Sequence, residues 1–310
     1  MKSRIHQLCM YQTVDLTPYQ RAFHPDEAQL QEAFQRLQNR GLRWEDGTVA
    51  AKGDVALCAL RSENPRFQKP AVHIAVGSGL LPEEIDTVVE GMQVGTEKTV
   101  QVNGQDVYIK LLSVKNRQVP ELTDAWIASI GLDGVTTLEQ YRMQLVAQQR
   151  QQRAKVEAYE PAQQVLAQVL RETEFILFQE DWAWIAELEM ARNAELCRQD
   201  GMDIKTMTAE DFRGRIPVTS YEGVQSLVKT NAWRTLRNYL LGRHYAQLDG
   251  YAVDEAGYEA FIRDYIKMWR VTEENARRSN TYEHYCVNTY ATYFVDKVMA
   301  YVQAHLYLEE

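Results

Sequence analysis

The chain has 310 residues, a formal net charge of −9, a hydrophobic share of 45% and four cysteines; at roughly 150 residues per domain that is enough for about two domains, each burying its own core without metal or disulfide staples. Its 34 Lys and Arg are scattered instead of striped, which argues against a nucleic-acid footprint, and no apolar run approaches the roughly 20 residues that cross a bilayer. MKSRIHQLCMYQ lacks the apolar core of a signal peptide, so a cytoplasmic protein without membrane or nucleic-acid partners is expected.

Taken in chain order, residues 1–23 contain YQTVDLTPY, whose alternation and terminal Pro18 predict a linker or short edge strand. His24-Pro25-Asp26 opens a helix in which Leu30, Ala33, Phe34 and Leu37 share one face and Gly41 sits just past the end. The runs VALCAL (55–60), AVHIAV (71–76), EKTVQV and DVYIKLLSV predict an antiparallel sheet. Asn103-Gly104 between the last two predicts a two-residue type I′ hairpin turn. From Pro120 onward helical periodicity takes over. Thr123 and Thr136 are candidate N-caps, and the second starts a long polar helix through QQRQQR, expected to project into solvent, with Pro161 marking a kink or restart. Further helices are predicted over 182–197, over 220–248 behind a Thr219 to Glu222 capping box, over 255–269 behind Asp254, and over 282–308. The fold class is thus α+β followed by all-α.

The stretch AVHIAVGSGLLPEEIDTVVEGMQVGTE with the hairpin after it resembles an FKBP-type peptidyl-prolyl isomerase domain, and VPELTDAWIASIG (119–131) resembles the junction at which trigger factor, the bacterial folding chaperone, passes into its helical body. The resemblance implies three segments: 1–23 as linker or edge strand, 24–118 as a degenerate FKBP-like domain, and 119–310 as an extended helical peptide-binding body with arms. It implies an ATP-independent chaperone for unfolded or nascent polypeptides. The family's N-terminal ribosome-binding module would precede Tyr11 to Leu16, where ten residues stand, which puts ribosome docking by that route in doubt. Two other readings stay open: an active prolyl isomerase, and an assembly protein with one dedicated partner.

Prolyl isomerisation must overcome a barrier of roughly 18 to 20 kcal/mol, and the family lowers it in a dry aromatic bowl. On the family pattern Ile85 falls on the bowl's aromatic floor, Leu60 and Val107 on aromatic wall positions, and Leu80 and Leu81 on the aliphatic pair before Pro82, with Phe67 the aromatic left nearby. The two-residue turn at Asn103-Gly104 leaves no room for the family's flap. Isomerase activity is therefore expected to be weak or lost, and Leu60, Phe67, Leu81, Ile85 and Val107 to form a remnant groove for an apolar peptide side chain. The same five residues also fit an ordinary sheet-and-helix core.

Twelve of the 17 tyrosines lie after residue 220, a composition suited to broad contact at low entropic cost. Tyr258, Phe261, Ile262, Tyr265, Ile266 and Trp269 form one helical stripe, and Tyr290, Phe294, Val298, Tyr301 and Val302 another, as core stripes do. Tyr282, Tyr285, Tyr293 and Tyr307 fall off these stripes and are the candidates for lining an open crevice. No catalytic residue or cofactor is expected. The GSG at 77–79 lacks the rest of a phosphate loop, His73 and His244 have no partner at a catalytic spacing, and Glu83, Glu84 and Asp86 complement a helix dipole. Cys9, Cys58, Cys197 and Cys286 have no CxxC pair and read as buried thiols, not as a zinc site.

Overall fold

The computed structural model describes residues 1–308 and divides into two units, one of residues 25–149 and one in which residues 1–24 join the chain from Arg150 onward. The chain opens with β1 (Arg4–Gln7), two 3₁₀ turns at Tyr11–Thr13 and Thr17–Tyr19, and then α1 (Glu27–Arg40). Asp26 caps α1 by accepting from the amides of Ala28 and Gln29 at 3.0 and 3.1 Å. Next come β2 (Arg43–Gly47), β3 (Val55–Ser62), β4 (Lys69–Ala75), α2 (Glu83–Val89), β5 (Glu97–Val102) and β6 (Gln105–Gln118).

The sheet of this unit is wholly antiparallel, and β6 is its axis. One edge of that strand pairs with β3, while the other takes β5 along 105–110 and β2 along 114–118; β4 pairs with β3. Val107, Ile109, Leu111 and Val114 of β6 face the core, the step from 111 to 114 reflecting a bulge opposite Leu57 and Cys58. Asn103 and Gly104 both take positive φ, +53° and +77°, as the hairpin requires. Ile85 and Val89 of α2 and Met92 after it seal the core with no exposed surface.

Asp86 does more than complement a helix terminus. It is buried, and its carboxylate accepts from the amides of Gly77 and Gly79 at 3.0 and 2.8 Å, so it pins the glycine turn that precedes its helix.

Residues 119–149 stay with the sheet unit, so the boundary expected at 118/119 does not divide the chain there. Thr123 caps α3 (Asp124–Ser129), and Trp126, Ile127, Ile130 and Val135 pack against Leu37 of α1. Gly41 follows α1 with φ −87°, outside the left-handed region, and its glycine is required because a Cβ there would stand 2.7 Å from the Trp126 ring. The next helix, α4 (Leu138–Glu157), starts behind a capping box of Thr137 and Gln140, one residue after the expected Thr136. Its polar residues make specific contacts: Arg142 pairs with Glu27 at 2.6 Å, Gln149 accepts from the Asp26 amide, and Tyr141 meets Phe34 edge-on at 5.2 Å.

Pro161 has no N–H to return to Glu157, so α4 breaks there and α5 (Tyr159–Glu172) restarts after a single turn residue, Ala158. The chain continues through β7 (Glu174–Ile176), α6 (Gln179–Gln199), the short α7 (Ala209–Phe212), α8 (Tyr221–Leu248), α9 (Glu255–Trp269), α10 (Glu273–Ser279) and α11 (Tyr282–His305). Asp254 caps α9 as read from the sequence, whereas α8 is capped by Ser220 and not by Thr219.

Residues 1–23 are not a linker. Tyr11, Val14, Leu16 and Phe23 are buried among these helices, β1 pairs antiparallel with β7, and Pro18 lies inside a 3₁₀ turn instead of ending a strand. Tyr11 packs against Tyr245 and Tyr301 at 5.0 and 5.3 Å. Arg21 bonds through its backbone to Leu306 and Leu308, joining the two ends of this unit. α8 crosses α11 at close range where Gly242 lies against the Tyr290 carbonyl.

Candidate functional site

Within the helical unit, α9 and α11 meet where Phe261 lies 5.2 Å from Tyr285, and a cleft of about 700 Å³ lies between them. Phe261, Tyr265, Met268 and Trp269 of α9 form one wall; Tyr285, Thr289, Thr292, Tyr293 and Asp296 of α11 form the other. Arg192 of α6, with His284 and Asn288, supplies the polar part. Much of the apolar lining is left to solvent: Met268 is 72%, Trp269 62% and Tyr251 40% exposed. Exposed aromatic and methionine surface on this scale carries an energetic cost that a binding partner relieves.

The α9 stripe explains the cleft. Tyr258 and Ile262 are buried against Ala276, while Phe261, Tyr265 and Trp269, spaced at four residues, make an adjoining ridge whose far end, at Trp269, is left mostly exposed among the described residues. Trp269 and Tyr265 also border a second hollow of about 350 Å³ toward Cys197 and Ile216.

One edge of the cleft is held by the segment after α8. Asp249 accepts from the Tyr293 hydroxyl and pairs with Lys297, and Tyr251 stacks on Tyr293 with ring centres 5.0 Å apart. The Asp249 carboxylate pushes the Tyr293 phenol up to about 12 and is itself held below the usual range, first by Lys297 and then by Tyr293.

The polar part is a short network. His284 is buried; its Nε2 lies 3.1 Å from Glu189 Oε1 of α6, and Asn288 lies 2.9 Å from the same nitrogen. The bond to His284 holds Glu189 below its ordinary 4.5 against the opposing effect of burial, with the nearby Arg192 adding to it. Arg192 Nε is sealed from solvent and has no hydrogen-bond partner among the described residues.

The depressed Glu189 gives a pH signature. Because its folded pKa lies below the ordinary value, its stabilising contribution is complete above about 4.5 and disappears as pH falls through the lowered folded pKa. Glu189→Gln removes that contribution, so thermal unfolding should place the variant below wild type at pH 7, with the gap closing on acidification below pH 4.5. A gap that stays constant with pH would contradict this assignment.

The residues singled out from sequence fall in different places. Tyr285 and Tyr293 line the cleft. Tyr282 packs on Tyr258 at 5.4 Å. Tyr307 is buried against Phe23 at 5.1 Å, its hydroxyl donating to Glu157 at 2.7 Å. In the sheet unit Leu60, Phe67, Ile85 and Val107 are brought together as buried members of the core, with Leu81 partly buried against them; Leu80 points outward, 83% exposed. The hollow on that sheet, about 580 Å³, is polar, and its Arg61 is engaged with both oxygens of Glu97 at 2.8 Å. Sequence reading missed Arg192 and also Glu189, His284 and Asn288, whose network joins α6 to α11 and leaves no local spacing to find. No helix is long and apolar enough to cross a membrane, and no three His, Cys, Asp or Glu side chains gather as for a metal ion, both among the described residues.

Comparison with known proteins gives a likeness to trigger factor. No family model matches the chain. A trigger factor of Corynebacterium jeikeium (strain K411) is 37% identical over 113 residues, which make up 33% of this chain and 21% of that protein; over that stretch the chain is trigger-factor-like. The match thus spans about a fifth of the relative's length. A solved structure of the trigger factor chaperone, described by promiscuous substrate recognition in folding and assembly activities, aligns over 98% of this chain and 73% of its own at 13% identity and a TM-score of 0.36.

Proposed function

We propose that this chain is an ATP-independent chaperone of the cytoplasm that holds unfolded or nascent polypeptide in the cleft between α9 and α11, with prolyl isomerase activity weak or lost. The observation that carries this reading is the wall of half-buried Phe261 and Tyr265 with exposed Met268 and Trp269, facing Tyr285 and Tyr293. Rings with two torsions to freeze give a large contact area at low entropic cost, and the flexible thioether of Met268 repacks around differing side chains. The driving force is removal of apolar client surface from water, which needs no nucleotide. Because association and ordering costs consume much of that gain, a single cleft of this size holds a client in rapid exchange.

The trigger factor likeness supports the same reading from an independent direction. Loss of isomerase activity is supported by Leu60, Ile85 and Val107, which close the sheet unit's core where a prolyl ring would have to enter, and by the two-residue Asn103-Gly104 turn, too short for a lid. The test is aggregation of a chemically unfolded model protein diluted in the presence of the chain, followed by light scattering. Near-stoichiometric suppression without nucleotide is expected; scattering unchanged at several-fold excess would overturn the proposal.

A further inference from the structure

We infer that Arg192 is a main-chain anchor: when an extended polypeptide segment lies along the aromatic wall, its guanidinium donates to a backbone carbonyl oxygen of that segment. The inference rests on the proposed role of the cleft as a polypeptide site. It starts from an unfilled requirement. A guanidinium carries five N–H donors and no acceptor, and a donor shut away from water without a partner costs more than a net hydrogen bond returns. Arg192 Nε is in that position. The carboxylate one turn earlier, Glu189, is bonded to His284, and neither Asp264 nor Asp296 forms an ion pair with Arg192 among the described residues, although both line the same cleft.

Charge decides which acceptor fits. Arg192 is the one Lys or Arg in the described lining, against Asp264 and Asp296 there and Glu189 behind it. An incoming acidic side chain meets a surplus of like charge, whereas a neutral carbonyl does not. A carbonyl is also present at every residue, so an anchor of this kind grips chains of differing sequence while the rings take their apolar side chains. The sealed Nε requires the flexible arginine stem to shift as the segment enters, so the donor is satisfied only in the occupied cleft.

The experiment measures binding of a short, fluorescently labelled, acetylated and amidated peptide of alternating Leu, Phe and Ser to the full chain by anisotropy, at low and high salt. Arg192→Met keeps the apolar stem and removes the donors; Arg192→Lys keeps the charge and loses the planar fork. Both are expected to weaken the neutral peptide about tenfold, nearly independently of salt, with unchanged circular dichroism. A thioamide at one peptide position, a poorer acceptor, should weaken wild type and leave Arg192→Met unaffected. If wild type binds the peptide and Arg192→Met binds it equally well, this inference alone is overturned. Loss confined to an acidic version of the peptide and restored by Arg192→Lys would also overturn it, in favour of a side-chain ion pair. A wild-type chain that binds no peptide overturns the proposed function together with the inference.

Discussion

Replacing Gly242 by alanine is expected to destabilise the helical unit by about 3 kcal/mol or more, against the usual sign of the substitution. In an exposed helix interior alanine is better than glycine by roughly 1 kcal/mol. Here a Cβ would stand 1.6 Å from the carbonyl oxygen and 2.6 Å from the carbonyl carbon of Tyr290. The obstacle is backbone, so no rotamer change relieves it; α8 and α11 must separate, loosening Leu241, Tyr245 and Phe294, all buried at that crossing. Overpacking costs of about 1 to 3 kcal/mol are typical where side chains can yield, and this site lies at the upper end or beyond. At roughly 2 to 4 °C per kcal/mol for a unit of this size, the unfolding midpoint should drop by about 10 °C. Gly223→Ala is the matched control, since the nearest obstacle there is the Val218 side chain at 3.1 Å. A Gly242→Ala midpoint equal to wild type would mean that the crossing is looser than described.

The largest functional effect is expected from replacing Met268 and Trp269 together by serine. Both project from the end of α9 with most of their surface already in water, so little folding stability depends on them and the unfolding midpoint should move by only about a degree. Their loss removes the outer half of the aromatic wall. Interface positions filled by tryptophan commonly carry about 2 kcal/mol, a factor of roughly thirty in affinity. Suppression of aggregation should therefore fall several-fold at a fixed ratio of chaperone to client while circular dichroism stays unchanged. Full suppression by the double variant would remove the cleft from the proposal.

Elements whose cause is local were readable from the chain. The Asn103-Gly104 hairpin needs two positive φ values in sequence, and the start of α9 needs an Asp at 254; each is a property of a few consecutive residues. By contrast β2 is RWEDG, exposed at nearly every position, so it has no hydrophobic alternation and exists because the far end of β6 offers it an edge. The segment 11–23 alternates as a strand would, yet its apolar residues are taken by helices formed more than a hundred residues later.

For the cleft, the tyrosines lying off the helical stripes were a usable signal for Tyr285 and Tyr293. The α9 stripe was harder to read, because a helix face wide enough to bury Tyr258 and Ile262 also carries Phe261, Tyr265 and Trp269, and periodicity alone does not say where the covering layer stops. Asp86 shows the same limit at smaller scale. Its place in a first helical turn suggested electrostatics, while its partners are the two glycine amides seven and nine residues earlier.

The joining of residues 1–24 to the chain beyond Arg150 bears on how the protein is made. During synthesis residues 25–149 have all their mutual contacts available before the helices after Arg150 are made, and can acquire their shape while those helices are still emerging. Tyr11 must wait for α8 and α11, Phe23 for Tyr307, and Arg21 for the Leu306–Leu308 backbone, all of which are synthesised well over a hundred residues later. For that interval the newborn chain carries an unsatisfied greasy leader of its own, and in that state it is itself the kind of polypeptide a chaperone would have to shelter.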